Sequence, residues 1–338
     1  MDARTQNEAG WRGGGEQSRM EKKTGPKIAE VWRTGTERLR TAGVGEAEAN
    51  SELLLLHVLG MGKAELLRDL REPFPADKRD AWERALTRKA AGEPAQYIIG
   101  EQAFYGRPFR VTPDVLIPRP ETELLAEAVL EAAAGWRPAE DGAPLALLDV
   151  GTGSGALAVT FAAERADWRV LASDLSPAAL AVARGNAGEN GAADRIEFVL
   201  GDLLEPFLRS GAGEERRLDG EKGQGRDVEE RRRGVAIDIL VSNPPYIRSA
   251  DMAGLQREVR DFEPHLALDG GADGLAPYRR MAAQLARLPR LPRLVAWEMG
   301  AGQADDAADL LRAVADWREI RYVKDYAGID RHVLAIRE

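Results

Sequence analysis

The stretch that decides the fold is Leu147-Leu148-Asp149-Val150-Gly151-Thr152-Gly153-Ser154-Gly155. Its apolar start predicts a buried strand, and the Ala- and Leu-rich residues after it predict a helix. Glycine has no Cβ, so the loop between them can turn sharply and let a ligand approach the backbone closely. The stretch therefore predicts a ligand-binding turn that joins a strand to a helix.

Outward from this loop, strands and helices alternate along the chain. The predicted strands are Leu145–Val150, Arg169–Ser173, Ile196–Leu200, Ile237–Ser242, Leu294–Glu298, Ile320–Val323 and His332–Ile336. The predicted helices between them are Ala156–Glu164, Pro177–Asn190, Pro277–Leu288 and Ala304–Ala315. Such alternation predicts a mostly parallel sheet with helices on both faces. Only a short turn separates the last two strands, so one of them is predicted to be antiparallel.

Acidic residues end the next two predicted strands. Asp174 lies 23 residues beyond Gly151, where a carboxylate can accept hydrogen bonds from both ribose hydroxyls of an adenosine. Asp202 ends the following strand, where an adenine amino group would lie. Together with the glycine loop, they predict a nucleoside site. Gly151, Gly153 and Ala156 also satisfy the dinucleotide fingerprint, so at this point a nicotinamide enzyme remains open.

The fourth strand of this series runs into Asn243-Pro244-Pro245-Tyr246. Proline cannot continue a central strand, so the chain must leave the sheet here and turn into the cleft. The Asn243 side-chain oxygen and the Pro244 carbonyl can then both accept hydrogen bonds from one planar NH₂ group, with the Tyr246 ring against it. This tetrapeptide, which we call the clamp, predicts binding of an amide or an exocyclic amine.

The clamp resembles that of S-adenosylmethionine-dependent methyltransferases which modify such nitrogens. More specifically, the chain resembles the HemK/PrmC family of protein-(glutamine-N5) methyltransferases of peptide chain release factors. The further motifs that carry this resemblance are Ile117-Pro118-Arg119-Pro120-Glu121-Thr122-Glu123, Tyr97-Ile98-Ile99-Gly100-Glu101, Phe104-Tyr105, Glu263-Pro264, Ala267-Leu268 and Ala327-Gly328-Ile329-Asp330-Arg331. The resemblance covers about residues 26–338.

The resemblance implies an α/β fold: a Rossmann-like class I methyltransferase with a seven-stranded, mostly parallel sheet. It implies S-adenosyl-L-methionine as cofactor, held by Gly151, Thr152, Gly153, Ser154, Gly155, Asp174, Asp202, Leu203 and Asn243. It implies a glutamine bound by Asn243, Pro244, Pro245, Tyr246, Arg119 and Glu121, with Asn243, Pro244 and Tyr246 catalytic. Some relatives carry an aromatic residue in place of Leu203, so adenine stacking is expected to be weaker here. Arg119 and Glu121 could equally form a salt bridge between domains.

The expected domain organisation has four parts. Residues 1–25 are predicted to form a flexible extension, 26–95 a small helical-bundle domain that docks the protein substrate, 96–119 a β-hairpin connector and 120–338 the methyltransferase domain. The segment 212–233 contains seven acidic residues, seven basic residues and four glycines. With almost no apolar residue to bury, it is predicted to be a disordered insertion.

Composition removes several classes of protein. The 338 residues include no cysteine, which excludes disulfides, thiolate metal sites and cysteine nucleophiles. The three histidines lie far apart, so no metal site is expected. No run approaches the roughly 20 apolar residues of a membrane-spanning helix, and no secretory signal is recognised. We therefore expect a cytoplasmic protein with no membrane association. The resemblance implies that its partners are release factors.

Four alternatives remain. A methyltransferase acting on adenine or cytosine amines would share the clamp, but the net charge of −9 argues against nucleic-acid binding. A nicotinamide dehydrogenase would explain the glycine loop and Asp174, but the residues of the clamp would have no function in it. A non-enzymatic adapter is disfavoured because every motif residue is present. A ribosomal-protein glutamine methyltransferase is the nearest alternative, and only the amino-terminal domain distinguishes it.

Overall fold

The computed structural model describes residues 25–137, 143–208 and 235–337. They form two compact units that divide between Ile99 and Gly100. The predicted extension, apart from Gly25, and the whole of the predicted insertion 212–233 lie outside the described residues. In the described part of the chain, no helix has both the length and the apolar character needed to cross a membrane.

The first unit is helical. Its helices are α1 (Ile28–Thr41), α2 (Ala47–Leu59), α3 (Lys63–Asp69), α4 (Arg79–Ala90) and α5 (Ala95–Ile99). Their apolar faces form one core around Leu39, Leu54 and Trp82. Helices α1 and α4 pack so closely at Gly35 that a Cβ there would collide with the Trp82 ring. The helical amino-terminal region predicted from apolar spacing is thus observed.

The second unit begins with a two-stranded hairpin of β1 (Glu101–Phe104) and β2 (Arg107–Arg110). We expected a hairpin connector over residues 96–119, but its first residues, up to Ile99, belong to helix α5. The reason is local: the Pro94 carbonyl accepts hydrogen bonds from the Tyr97 and Ile98 N–H groups, which closes a helical turn. This turn overrides the β propensity of the aromatic and β-branched side chains.

The remaining strands of the second unit form one seven-stranded sheet. They are β3 (Ala146–Val150), β4 (Arg169–Asp174), β5 (Ile196–Leu200), β6 (Ile239–Ser242), β7 (Leu294–Glu298), β8 (Glu319–Lys324) and β9 (Asp330–Ile336). Their order is β5-β4-β3-β6-β7-β9-β8. All neighbouring pairs are parallel except those that involve β9, which is antiparallel to both β7 and β8. The predicted mostly parallel sheet with one reversed strand is confirmed.

Helices cover both faces of this sheet. The helices of the second unit are α6 (Pro120–Ala132), α7 (Ala156–Glu164), α8 (Pro177–Glu189), α9 (Arg257–Phe262), α10 (Ala276–Leu285) and α11 (Ala304–Arg312), and all but α9 contribute residues to the cores on the sheet. Residues of α6, α7 and α8 pack in one buried cluster, and residues of α10 and α11 in another. Consecutive strand residues alternate between the clusters, as Leu147 and Leu148 do, because strand side chains point to opposite faces. Burial on both faces explains why the central strands are almost wholly apolar.

The sheet reverses its strand order between β3 and β6. Chain connections lead away from this point on both sides, so a crevice opens at the carboxyl ends of the two strands. Val150 ends β3 and pairs in register with Ser242, which ends β6. The glycine loop and the clamp, which follow these two residues, therefore lie side by side.

Candidate active site

A cavity of about 440 Å³ lies at the carboxyl ends of the central strands. Eleven of the predicted site residues line it: Arg119, Gly151, Thr152, Gly153, Ser154, Asp174, Asp202, Leu203, Asn243, Pro244 and Pro245. They come from four strand ends and from the residue before helix α6. The parallel sheet thus brings both predicted sets of residues to one cavity.

The glycine loop and Asp174 form one hydrogen-bonded wall of the cavity. Gly151 and Gly153 have φ angles of 73° and 55°, a backbone conformation that disfavours a Cβ. The Asp174 carboxylate accepts hydrogen bonds at 2.9 Å from the backbone N–H groups of Gly153 and Ser176. Burial raises the pKa of Asp174 above its usual range, although these donors act in the opposite direction. Each oxygen keeps a lone pair for a further donor, such as a ribose hydroxyl.

The loop after β5 forms the next part of the wall. Leu203 adopts a left-handed backbone with φ 50°, which is strained for a residue with a branched side chain. Asp202 forms an ion pair with Arg280 of helix α10 through Oδ2. Its Oδ1 accepts no hydrogen bond from a described side chain, so it is available to a ligand amine.

Two hydrogen bonds anchor the start of the clamp. Ser242 Oγ donates to the Val150 carbonyl at 2.7 Å, and Asn243 Nδ2 donates to Thr122 Oγ1 at 3.1 Å. Among the described residues, no donor reaches Asn243 Oδ1 or the Pro244 carbonyl. Burial raises the pKa of Tyr246 to about 12, so its hydroxyl stays protonated at neutral pH. The clamp therefore offers two acceptors beside a neutral aromatic ring.

A loop of residues 268–274 supports the clamp from behind. The Gln303 amide nitrogen donates to the Tyr246 carbonyl at 3.1 Å and to the Asp273 carbonyl at 3.3 Å. Gly270 and Gly274 lie so close to the clamp backbone that a Cβ on either would collide with it. The backbone of Pro245 and Tyr246 is thus fixed by packing and by hydrogen bonds.

Two known families match this chain. The family described as PrmC N-terminal domain matches residues 30–100, and the family described as Methyltransferase domain matches residues 147–212. Proteins named release factor glutamine methyltransferase are similar over most of their length. The one from Nitratidesulfovibrio vulgaris is 37% identical over 90% of this chain and 93% of its own. Those from Moorella thermoacetica and Bacillus subtilis are 41% and 40% identical, over 89% and 86% of this chain and 95% and 92% of theirs.

The chain belongs to the release factor glutamine methyltransferase family. The resemblance seen in the motifs is thereby confirmed, and so is the class I methyltransferase fold. The methyl donor of this class is S-adenosyl-L-methionine, as the motifs implied.

The cavity fits that cofactor. Its volume lies within the roughly 300–1,000 Å³ of small-molecule sites. Asp174 retains acceptor capacity for the ribose hydroxyls, and Asp202 retains Oδ1 for an adenine amine. A Cβ on Gly151 or Gly153 would meet no atom within 4 Å, so the space beside the loop backbone is open. These residues can therefore hold the cofactor of the release factor glutamine methyltransferase family.

Three of the residues assigned to the site do not line the cavity: Gly155, Glu121 and Tyr246. Gly155 instead permits close packing, because a Cβ there would lie 3.1 Å from the Ala183 Cβ of helix α8. Tyr246 is half-buried and packs against the core under helices α10 and α11. Arg119 lines the cavity and forms an ion pair with the buried Glu263, so its partner lies in the same unit.

Sequence reasoning missed three residues at this site: Thr122, Glu298 and Arg280. Thr122 lies in the first turn of α6, a helix absent from our predictions although Pro120 and two glutamates mark its start. Glu298 ends β7 as Asp174 ends β4, so the rule that found the earlier carboxylates also applied here. Arg280 carried no signal, because its partner Asp202 lies 78 residues away in the chain.

Proposed function

We propose that this chain transfers a methyl group from S-adenosyl-L-methionine to the side-chain amide nitrogen of the glutamine in the Gly-Gly-Gln motif of peptide chain release factors. Relatives with that name at 37–41% identity support the substrate class. The observation that carries the proposal is the pattern of hydrogen bonds made by the clamp. Asn243 Nδ2 is occupied by Thr122, which leaves Asn243 Oδ1 and the Pro244 carbonyl as a pair of acceptors for one planar NH₂ group.

The chemistry needs orientation more than it needs a base. An amide nitrogen is a poor nucleophile because its lone pair is delocalised into the carbonyl. The bound cofactor supplies an electrophilic methyl group. Acceptors on both N–H bonds hold the nitrogen in place and stabilise the positive charge that develops on it. The proton can leave after the transfer, so the protonated Tyr246 hydroxyl is not needed as a base, and Tyr246 stays a predicted substrate contact.

The cofactor roles follow from the geometry of the cavity. We assign the ribose hydroxyls to Asp174 and the adenine amine to Asp202, with Leu203 against the adenine ring. The glycine loop lies against the remaining part of the cofactor, where only a bare backbone leaves room. Arg119 lines the cavity and forms an ion pair with Glu263. We propose that it contacts the loop of the release factor that carries the glutamine. Glu121 stays a predicted substrate contact.

The clamp assignment is tested with Asn243→Ala. We expect methyl transfer to a purified release factor to fall at least about 100-fold, as for loss of one preorganised polar contact to a transition state. The dissociation constant for S-adenosyl-L-methionine should change less than about threefold, because Asp174 and the glycine loop remain intact. The assay is transfer of labelled methyl, followed by mass spectrometry of the Gly-Gly-Gln peptide.

The matched control is Asn190→Ala, which removes the same amide from the end of helix α8, where it donates to the Pro108 carbonyl. That variant should turn over normally. Turnover retained by Asn243→Ala would contradict the clamp assignment, and no methylation by the unaltered chain would contradict the function itself. A single-stranded oligonucleotide in the same assay tests the prediction that nucleic acid is not a substrate.

We also propose that the helical unit docks the release factor. The cavity and clamp lie entirely in the second unit, and the first unit matches a family of amino-terminal domains. A variant lacking residues 1–99 should raise the KM for the release factor at least about tenfold and leave cofactor affinity unchanged. Unchanged protein kinetics would refute the docking role. A cytoplasmic location belongs to the same proposal, because it follows from the substrate.

A further inference from the structure

Behind the clamp, three side chains form a chain of hydrogen bonds that runs away from the cavity. Asn243 Nδ2 donates to Thr122 Oγ1 at 3.1 Å, and Thr122 Oγ1 donates to Glu298 Oε2 at 2.7 Å. Thr122 and Glu298 are only 5% and 3% exposed. Asn243 directly follows β6, Thr122 belongs to α6 and Glu298 ends β7, so the packing of α6 on the sheet brings the three together.

Two buried groups lie beside Glu298. The Tyr278 hydroxyl donates to its backbone carbonyl at 2.6 Å, and the fully buried His332 lies with Nε2 3.5 Å from the same Oε2 that Thr122 contacts. Within the described residues neither nitrogen of the His332 ring makes a hydrogen bond, so the hydrogen bond to the Glu298 carboxyl comes from Thr122, in the first turn of α6.

The direction of these hydrogen bonds follows from counting protons. A threonine hydroxyl has a single proton to donate, and here it donates to Glu298 Oε2. Because this proton is used in the hydrogen bond to Glu298, the Thr122 oxygen can only accept a hydrogen bond from Asn243. The amide of Asn243 has donors only on its nitrogen, so Nδ2 must face Thr122 and Oδ1 must face away from it.

We propose that Thr122 and Glu298 are positioning residues that set the polarity of the clamp. Their task is to hold Asn243 with its acceptor toward the substrate NH₂ group, and this inference rests on the proposed function. An asparagine without them could rotate by half a turn at little cost, since its amide is nearly symmetric in shape. The rotated side chain would present NH₂ to the substrate NH₂ group and repel it.

The same logic predicts a change in selectivity. A release factor with glutamate in place of the glutamine presents two acceptors, which the properly oriented clamp repels. When the amide is free to rotate, its NH₂ group can meet that carboxylate. Loss of the two positioning residues should therefore weaken binding of the glutamine form and strengthen binding of the glutamate form relative to it.

The test uses the full chain with Thr122→Val, Glu298→Gln and, as matched control, Thr122→Ser. Valine keeps the shape of threonine without the hydroxyl, and glutamine can donate to Thr122 and so reverse the chain of hydrogen bonds. Both should lower kcat for the release factor about 30-fold or more, with cofactor affinity within about threefold of the unaltered chain. Thr122→Ser keeps the hydroxyl and should retain most of the activity.

The decisive readout is binding, measured by calorimetry with S-adenosylhomocysteine present, of release factors carrying Gln or Glu in the motif. Thr122→Val and Glu298→Gln should each reduce the preference for Gln by about tenfold, and Thr122→Ser should leave it unchanged. A preference that stays the same in Thr122→Val, or an equal loss of activity in Thr122→Ser, would overturn the inference. If Glu298→Gln does not fold, Thr122→Val alone decides. Failure of the proposed function is distinct, because the unaltered chain would then methylate no release factor.

Discussion

Asp149, next to the last residue of strand β3, allows a quantitative prediction of how stability depends on pH. Its carboxyl is 1% exposed and accepts a hydrogen bond from Thr152 Oγ1 at 2.6 Å. Burial raises its pKa from 3.8 to about 7, while the Thr152 hydrogen bond acts in the opposite direction. In the unfolded chain the same carboxyl returns to its ordinary value, so folding and proton binding are coupled.

The sign follows from the raised pKa. Between about pH 4 and pH 7 the folded chain holds a proton on Asp149 that the unfolded chain has released. Stability from this residue is therefore complete below pH 4 and is lost as the pH rises to about 7. The difference of about three pK units, at 1.36 kcal/mol per unit, amounts to about 4 kcal/mol, of which roughly 2.5 kcal/mol falls between pH 5 and pH 8.

The perturbation is Asp149→Asn, which keeps the shape and an acceptor for Thr152 but cannot ionise. Relative to the unaltered chain, the free energy of unfolding of this variant should rise by roughly 2.5 kcal/mol from pH 5 to pH 8. Any constant cost of the new NH₂ group cancels, because only the change with pH is used. The assay is urea unfolding followed by circular dichroism at four pH values, on the transition that S-adenosylhomocysteine shifts.

The matched control is Asp273→Asn. Asp273 is exposed, and its hydrogen bonds to Arg279 and the Leu275 N–H lower its pKa to about 2. The pKa of Asp273 lies below 4 in both the folded and the unfolded chain. The effect of Asp273→Asn on the free energy of unfolding should therefore be constant from pH 5 to pH 8. The prediction would be refuted if the difference in unfolding free energy between Asp149→Asn and the unaltered chain stayed constant from pH 5 to pH 8, or if it fell toward pH 8. Either result would mean that the Asp149 carboxyl is not buried in its neutral form.

Two further predictions concern the clamp support and the charged segment. Gly274→Ala should lower stability by roughly 2–4 kcal/mol and reduce kcat in the methyl-transfer assay, because its Cβ would collide with the Tyr246 carbonyl at φ 78°. Gly302→Ala, at φ 80° with open space around it, should lose only about 1–2 kcal/mol in thermal or urea unfolding and keep its activity; equal losses in both variants would contradict the support role. Deletion of residues 212–233 should leave kcat and KM within about threefold in the same assay, since their composition offers nothing to bury, and a large loss of turnover would show that they act in catalysis.

The sheet was largely predictable because its signals are local. Apolar runs of five or six residues marked the parallel strands, and Ile196–Leu200 and Leu294–Glu298 have the predicted bounds. The reversal of β9 followed from the short turn before it. The helical Tyr97–Ile99 was not predictable from propensity, since a single proline carbonyl decided it.

The cofactor wall and the clamp were also predictable, because each lies in one short stretch directly after a strand. The pairing of the residues behind them was not. Thr122 and Glu298 are 176 residues apart, and Arg119 and Glu263 are 144 apart. Their pairing depends on which strands are neighbours and in what register, which no local pattern contains. Arg280 was missed for the same reason.

The hydrogen bond from Ser242 to the Val150 carbonyl joins two stretches of chain that lie 92 residues apart. One of them leads into the methyl-donor wall and the other into the acceptor clamp. Because Val150 and Ser242 are also paired in register, the spacing between donor and acceptor is set by the sheet and not by either loop alone.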